Sequence, residues 1–151
     1  MNCNTLFSVL VAHDLTEAER EWLRVKQAAR ENYWAGEAED EADAEYWINL
    51  EGISFEATET GDFLLVSEED GVPEAAADFI QEFLAEFRPT EFVIFEWAHT
   101  ATKMRPGEFG GGAAVITAQE MRWLDPLAWI QDQLHAIRRN SQRKLKRGRT
   151  A

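Results

Sequence analysis

The chain is 151 residues long and holds one cysteine and three histidines, with not one Lys or Arg between Glu31 and Phe87. A single Cys3 excludes an intrachain disulfide framework, and Cys3 with His13, His99 and His135 makes no cluster of zinc-ligand spacing. No metal and no cofactor are expected. Long apolar runs are missing as well. The stretch from Leu6 to Ala12 is too short to cross a bilayer, and no basic region precedes it as in a secretory signal. It reads as a strand, and the chain as a cytoplasmic protein without membrane contact. Neither a G-x-S-x-G elbow nor an H-E-x-x-H helix occurs, and His99 has no nucleophile or orienting partner nominated by spacing. A non-enzymatic protein is therefore expected.

The cation-free stretch from Glu31 to Phe87 covers 57 residues and carries 18 Asp and Glu. The rest of the chain holds all 15 Lys and Arg against 10 acids, so it is net +5 within a total of −13. Such an asymmetric field repels nucleic acid and anionic membrane from one side and draws basic protein surfaces to it. With 45% hydrophobic residues, six Trp and nine Phe, the chain has the payload for one folded domain.

Local patterning places the elements. Leu6 to Val11 is apolar at both alternating positions, as in a strand inside a covered sheet. Thr16 and Glu19 have capping-box spacing. Leu15, Ala18, Trp22, Val25, Ala29 and Tyr33 then recur at three- and four-residue intervals in a helix ending near Gly36. Glu37 to Glu45 is acidic and Ala-rich, either a short solvated helix or a loop. Ile53–Thr58 and Phe63–Ser67 read as a hairpin turning at Gly61. Pro73 opens a helix whose face is Ala76, Phe79, Ile80, Phe83, Leu84 and Phe87, stopping before Pro89.

Phe92–Ala98 and Ala113–Thr117 read as two further strands. Asp125-Pro126 starts a last helix, with Leu127, Ile130, Leu134 and Ile137 expected to face inward. The order β-α-β-β-α-β-β-α predicts an α+β two-layer sandwich, a mainly antiparallel sheet with helices packed on it, ferredoxin-like in order. Residues 1–137 form the single domain, and 138–151 a basic tail that is disordered or extends the last helix.

Two acidic groups stand out within the cation-free region. Glu74, Asp78, Glu82 and Glu86 are each four residues apart, opposite the apolar face of their helix. Four residues advance about 6 Å along a helix, a spacing comparable to that of successive phosphates on a nucleic-acid strand. Like charges so placed cost an isolated helix roughly 0.2–0.5 kcal/mol per pair, so helix stability does not explain them. Glu37, Glu39, Asp40, Glu41, Asp43 and Glu45 form the second group. A solvated surface needs only mixed charge, whereas a large single-sign field suits steering or mimicry. The expected partner is a protein with a basic surface, plausibly one that binds nucleic acid.

The segment His99–Gly112 is long for a hairpin connection and contains Lys103, Arg105 and the run Gly110, Gly111, Gly112. Successive backbone N–H groups there, with two cations, offer an anion site, against the simpler reading of a wide turn or strand bulge. The alternative function is therefore a small-anion-binding protein or enzyme built on this loop. Arg138, Arg139, Arg143, Lys144, Lys146, Arg147 and Arg149 make the C-terminus cationic, the one part of the chain suited to direct nucleic-acid binding.

Over Phe95 to Leu124, FEWAHTATKMRPGEFGGGAAVITAQEMRWL, the chain resembles small uncharacterised proteins of bacterial phages, plasmids and integrative elements. The resemblance implies a mobile-element setting, in which small acidic proteins act as inhibitors of host or competitor machinery, some of them by resembling DNA. It brings no site residues with it.

Overall fold

A computed structural model describes residues 3–37, 40–101 and 110–149. In chain order these form β1 (Cys3–Ala12), α1 (Glu17–Trp34), α2 (Glu41–Asn49), β2 (Ile53–Ala57), β3 (Phe63–Ser67), α3 (Pro73–Phe87), β4 (Phe92–Ala101), β5 (Gly111–Thr117), β6 (Met121–Trp123) and α4 (Pro126–Arg149). The α+β class and the antiparallel sheet are as expected. The ferredoxin-like element order is not reproduced: α2 is inserted before β2, and β6 precedes the last helix. Both are short elements whose patterns fall below what local periodicity resolves.

All six strands form one sheet in the order β2-β3-β1-β4-β5-β6, and every adjacent pair is antiparallel. The central strand β1 joins β3 through Val9↔Leu65 and β4 through Leu6↔Ala98. One sheet face, carrying Phe7, Val9, Phe63, Leu65, Val93, Phe95 and Ile116, is buried beneath α1, α2 and α3. Phe79 and Phe83 of α3 meet Phe63 at ring-centroid distances of 6.1 and 5.0 Å, and Trp22 of α1 packs on both. Each such ring removed from water contributes roughly 2–3 kcal/mol.

Among the described residues, no helix covers the other face of the sheet. Leu10, Phe92, Ile94 and Val115 are all exposed there, with Phe92 64% and Ile94 60% accessible. The run Leu6–Val11 is thus a central strand, but in a sheet covered on one side only.

The helix α1 begins at the expected capping box: Glu19 N–H donates to Thr16 Oγ1 at 3.2 Å, and Thr16 N–H donates to Glu19 Oε1 at 2.9 Å. Its buried positions are Glu19, Leu23 and Arg30, while Ala18 and Val25 of the expected apolar stripe are exposed. The inward face is rotated because two polar residues occupy it, each with partners inside. Arg88 Nε donates to Glu19 Oε2 at 2.7 Å, and Arg30 Nη2 donates to the Leu50 carbonyl at 2.9 Å.

The expected inward face of the last helix is also corrected. Leu127, Ile130, Leu134 and Ile137 are exposed, and no described helix or strand packs along α4. The basic run continues this helix to Arg149 rather than fraying from it.

Candidate acidic interaction face

The structure brings the two acidic groups to one side of the helical layer. Tyr46 of α2 donates from its phenolic oxygen to Glu82 Oε2 of α3 at 2.8 Å, tying the helices that carry them. Lys26 of α1 donates to Glu82 Oε1 at 2.6 Å and to Tyr46 Oη at 3.2 Å. Its ammonium also lies 5.1 Å from the Trp22 ring centroid and 4.7 Å from that of Tyr46. Burial, followed by the adjacent carboxylate of Glu82, raises the Tyr46 pKa, so the phenol stays a neutral donor.

Glu82 is therefore a structural member of the stripe, already neutralised from inside. Glu74, Asp78 and Glu86 are exposed, as are Glu37, Glu41, Asp43 and Glu45. Asp40 caps α2, accepting from Ala42 N–H at 3.0 Å, which places its charge at the positive end of the helix dipole. Glu39 lies outside the described residues.

Two clefts flank Tyr46. One, of about 280 Å³, is floored by Leu50, Val72, Ala75 and Phe79 and rimmed by Glu74, Asp78 and Glu82. The second, about 910 Å³, shares Tyr46 and Glu82, adds Glu37 and Asp43, and is also lined by Lys26, so the first is the more anionic of the two. An apolar floor under a carboxylate rim fits a long cationic side chain, whose methylene stem covers the floor while its head meets the acids.

The neighbouring cations are turned away from solvent. Arg30 is buried under the C-terminal carbonyl end of α2, its guanidinium 4.7 Å from the Trp34 ring centroid, and burial lowers its pKa. Arg88, at the end of α3, reaches Glu19 with two nitrogens and the His13 carbonyl with Nη2 at 2.7 Å. Its hydrogen bond to Glu19 raises the Arg88 pKa. Burial works to raise the pKa of Glu19, but the bonds from Arg88 and Thr16 outweigh it, and the carboxyl lies below its ordinary value. The field of the face thus arises from acids pointing out and cations folded in.

The Gly-rich segment looks different. His99 belongs to β4, and its Nδ1 lies 3.0 Å from Thr5 Oγ1 of β1. Gly111 and Gly112 belong to β5 rather than to a loop, and Gly110 accepts from His99 N–H at 3.3 Å. A side chain at Gly112 would run into the Trp97 ring, and one at Gly110 into the His99 carbonyl. These glycines are accounted for by the close approach of β4, which makes the strand reading sufficient for them. Lys103 and Arg105 lie outside the described residues.

Lys26 and Tyr46 escaped the sequence reading because neither belongs to a motif. The sole signal was that Lys26 is among the last cations before the acidic stretch. Among the described residues, no group of three or more His, Cys, Asp and Glu can hold a metal, and no helix is long and apolar enough to cross a membrane. Comparison of the chain with protein-family models, with curated proteins and with solved structures found no match.

Proposed function

We infer that this chain is a non-enzymatic binding protein whose α2–α3 face engages the basic surface of another protein. One observation carries the reading: Tyr46, Glu82 and Lys26 lock the two acid-bearing helices together, leaving Glu37, Asp43, Glu74 and Asp78 exposed at two clefts and Glu41, Glu45 and Glu86 exposed on the same helices. Preorganised like charges lose little entropy on binding, and their field accelerates encounter with a cationic partner. Lys and Arg side chains of the partner enter the clefts.

A nucleic-acid-binding protein is the partner class that fits best, because its own surface is built to receive a row of anions. Acids four residues apart on α3 offer such a row. In the mobile-element setting implied by the resemblance of Phe95–Leu124, the outcome is inhibition of that partner by DNA mimicry. The test is capture from bacterial lysate on the immobilised chain at low and high salt, followed by mass spectrometry. Expected is a DNA- or RNA-binding protein released by high salt and displaced by duplex DNA. Undiminished capture by a variant carrying Glu74→Lys, Asp78→Lys and Glu86→Lys rejects the reading.

A further inference from the structure

Among the described residues two apolar surfaces remain without a partner, both remote from the acidic face. The helix α4 presents Leu127, Ile130, Leu134, Ile137 and Leu145 along one side, with Leu127 65% and Ile137 60% exposed. This sheet face presents the exposed Leu10, Phe92, Ile94 and Val115 and the half-buried Leu64, joined across strands by the pairs Leu10↔Leu64 and Ile94↔Val115. We propose that α4 of one copy lies across the open sheet face of a second copy, and reciprocally, in a two-fold dimer.

The dimensions match. Leu127 to Ile137 spans about 15 Å along a helix, while the patch runs over three strand spacings from β3 to β5, about 14 Å. With Leu145 the apolar stripe is about 27 Å long and 10 Å wide, within the roughly 29 Å width of six strands, so two helices on two sheets remove on the order of 1,100 Å² from water, just above the roughly 1,000 Å² that a specific interface needs. The charges match as well. Residues 126–151 carry seven Lys and Arg against one Asp, net +6, whereas residues 1–125 carry eight against 27 acids, net −19. On the open face itself the strands contribute Glu56, Glu96 and one cation, Arg122 of β6, which lies opposite Val115 and is paired with Glu120 at 3.2 Å. A cationic helix is drawn to such a body.

The connection selects a second copy over the chain's own sheet. Leu124 N–H still donates to the Ala113 carbonyl at 2.9 Å, and the next residue, Asp125, caps α4 by accepting from Ala128 N–H at 3.1 Å. No slack separates the last sheet bond from the helix cap. Swinging α4 beneath its own sheet breaks one or the other, whereas a second copy reaches the exposed stripe with both intact. The dimer leaves both acidic faces outward, and so presents two copies of the face inferred above without depending on it.

Sedimentation equilibrium of the full chain tests this. The expected mass is twice the 17.3 kDa of one chain. Either Ile94→Glu on the sheet or Ile130→Glu with Leu134→Glu on the helix buries unpaired carboxylates at the contact. Each change should raise the dimer Kd by roughly a hundredfold. These side chains are exposed in the monomer, so the circular dichroism of the variants should be unchanged. As a second measurement, in a Cys3→Ser background, chains bearing Val115→Cys are mixed with chains bearing Ile130→Cys. Expected is a disulfide-linked heterodimer. A wild-type chain that stays monomeric at all concentrations, a dimer that persists in both variants, or absence of the linked heterodimer overturns the proposal.

Discussion

Tyr46 and Glu82, 36 positions apart, meet at 2.8 Å, and this bond joins an acidic helix to an acidic stripe that the chain could not otherwise bring together without repulsion. Lys26 supplies the compensating charge from the third helix at 2.6 Å from the same carboxylate. A stripe that looks uniform in sequence is divided by this contact. One member holds the structure and the others face outward.

The division is measurable by thermal melts of single charge reversals. Glu82→Lys loses two hydrogen bonds and sets an ammonium against Lys26, costing about 2 kcal/mol. Tyr46→Phe removes the bond donated to Glu82 and the longer one accepted from Lys26, and costs about 1–2 kcal/mol. Glu74→Lys and Glu86→Lys, at exposed positions, should stay within about 0.5 kcal/mol of wild type. Equal losses at all these positions would contradict the assignment.

Binding should divide the opposite way. With the captured partner, Glu74→Lys, Asp78→Lys and Glu86→Lys together weaken single-site affinity by about tenfold or more, because closely spaced like charges set the local potential within a screening length of about 8 Å. Deleting residues 143–151 should change it by less than about threefold on the same grounds. Titration calorimetry at fixed salt compares the two.

Acid should act through Glu19. The residue is 2% exposed and its carboxyl pKa lies below the ordinary 4.5, so the unfolded chain takes up the proton first as pH falls. The stabilisation is fully present above about pH 4.5 and is lost as pH falls through the lower folded value. Glu19→Gln leaves the Arg88 guanidinium without its anion and should cost about 3 kcal/mol at pH 7. Denaturant titrations of both proteins should show the gap narrowing below pH 4.5, as the pH falls through the lowered folded value of Glu19.

Between β4 and β5, Gly112→Ala forces a methyl group into the Trp97 ring and should cost about 1–3 kcal/mol, with a shift in tryptophan emission. Gly36→Ala meets no neighbouring atom. Its cost is limited to the positive φ of 75° it must adopt, roughly 1 kcal/mol, with the emission unchanged.

Much of the fold was legible because it depends on neighbours in the chain. The Thr16–Glu19 box, the Phe79–Phe83 face and the turn at Gly61 are short-range patterns, and each stands where it was expected. Apolar periodicity failed on α1, where Glu19 and Arg30 take inward positions. A polar residue can be buried once Arg88 or the Leu50 carbonyl satisfies it, and those partners are distant in sequence. For the site, the acids themselves were legible, but Lys26 and Tyr46 were not, since nothing local marks them.

By itself the sequence determined the charge asymmetry, the amphipathic character of α3 and α4 and the α+β class, because composition and periodicity are properties of the chain. Tertiary structure alone decided that two acidic groups share one face, that cations fold inward beneath them, and that the apolar side of α4 finds no cover among the described residues of its own chain. Amphipathicity specifies that a surface seeks a partner. Which surface it meets depends on strand order and on a connection pinned between Leu124 and Asp125, and these are set by contacts across the fold.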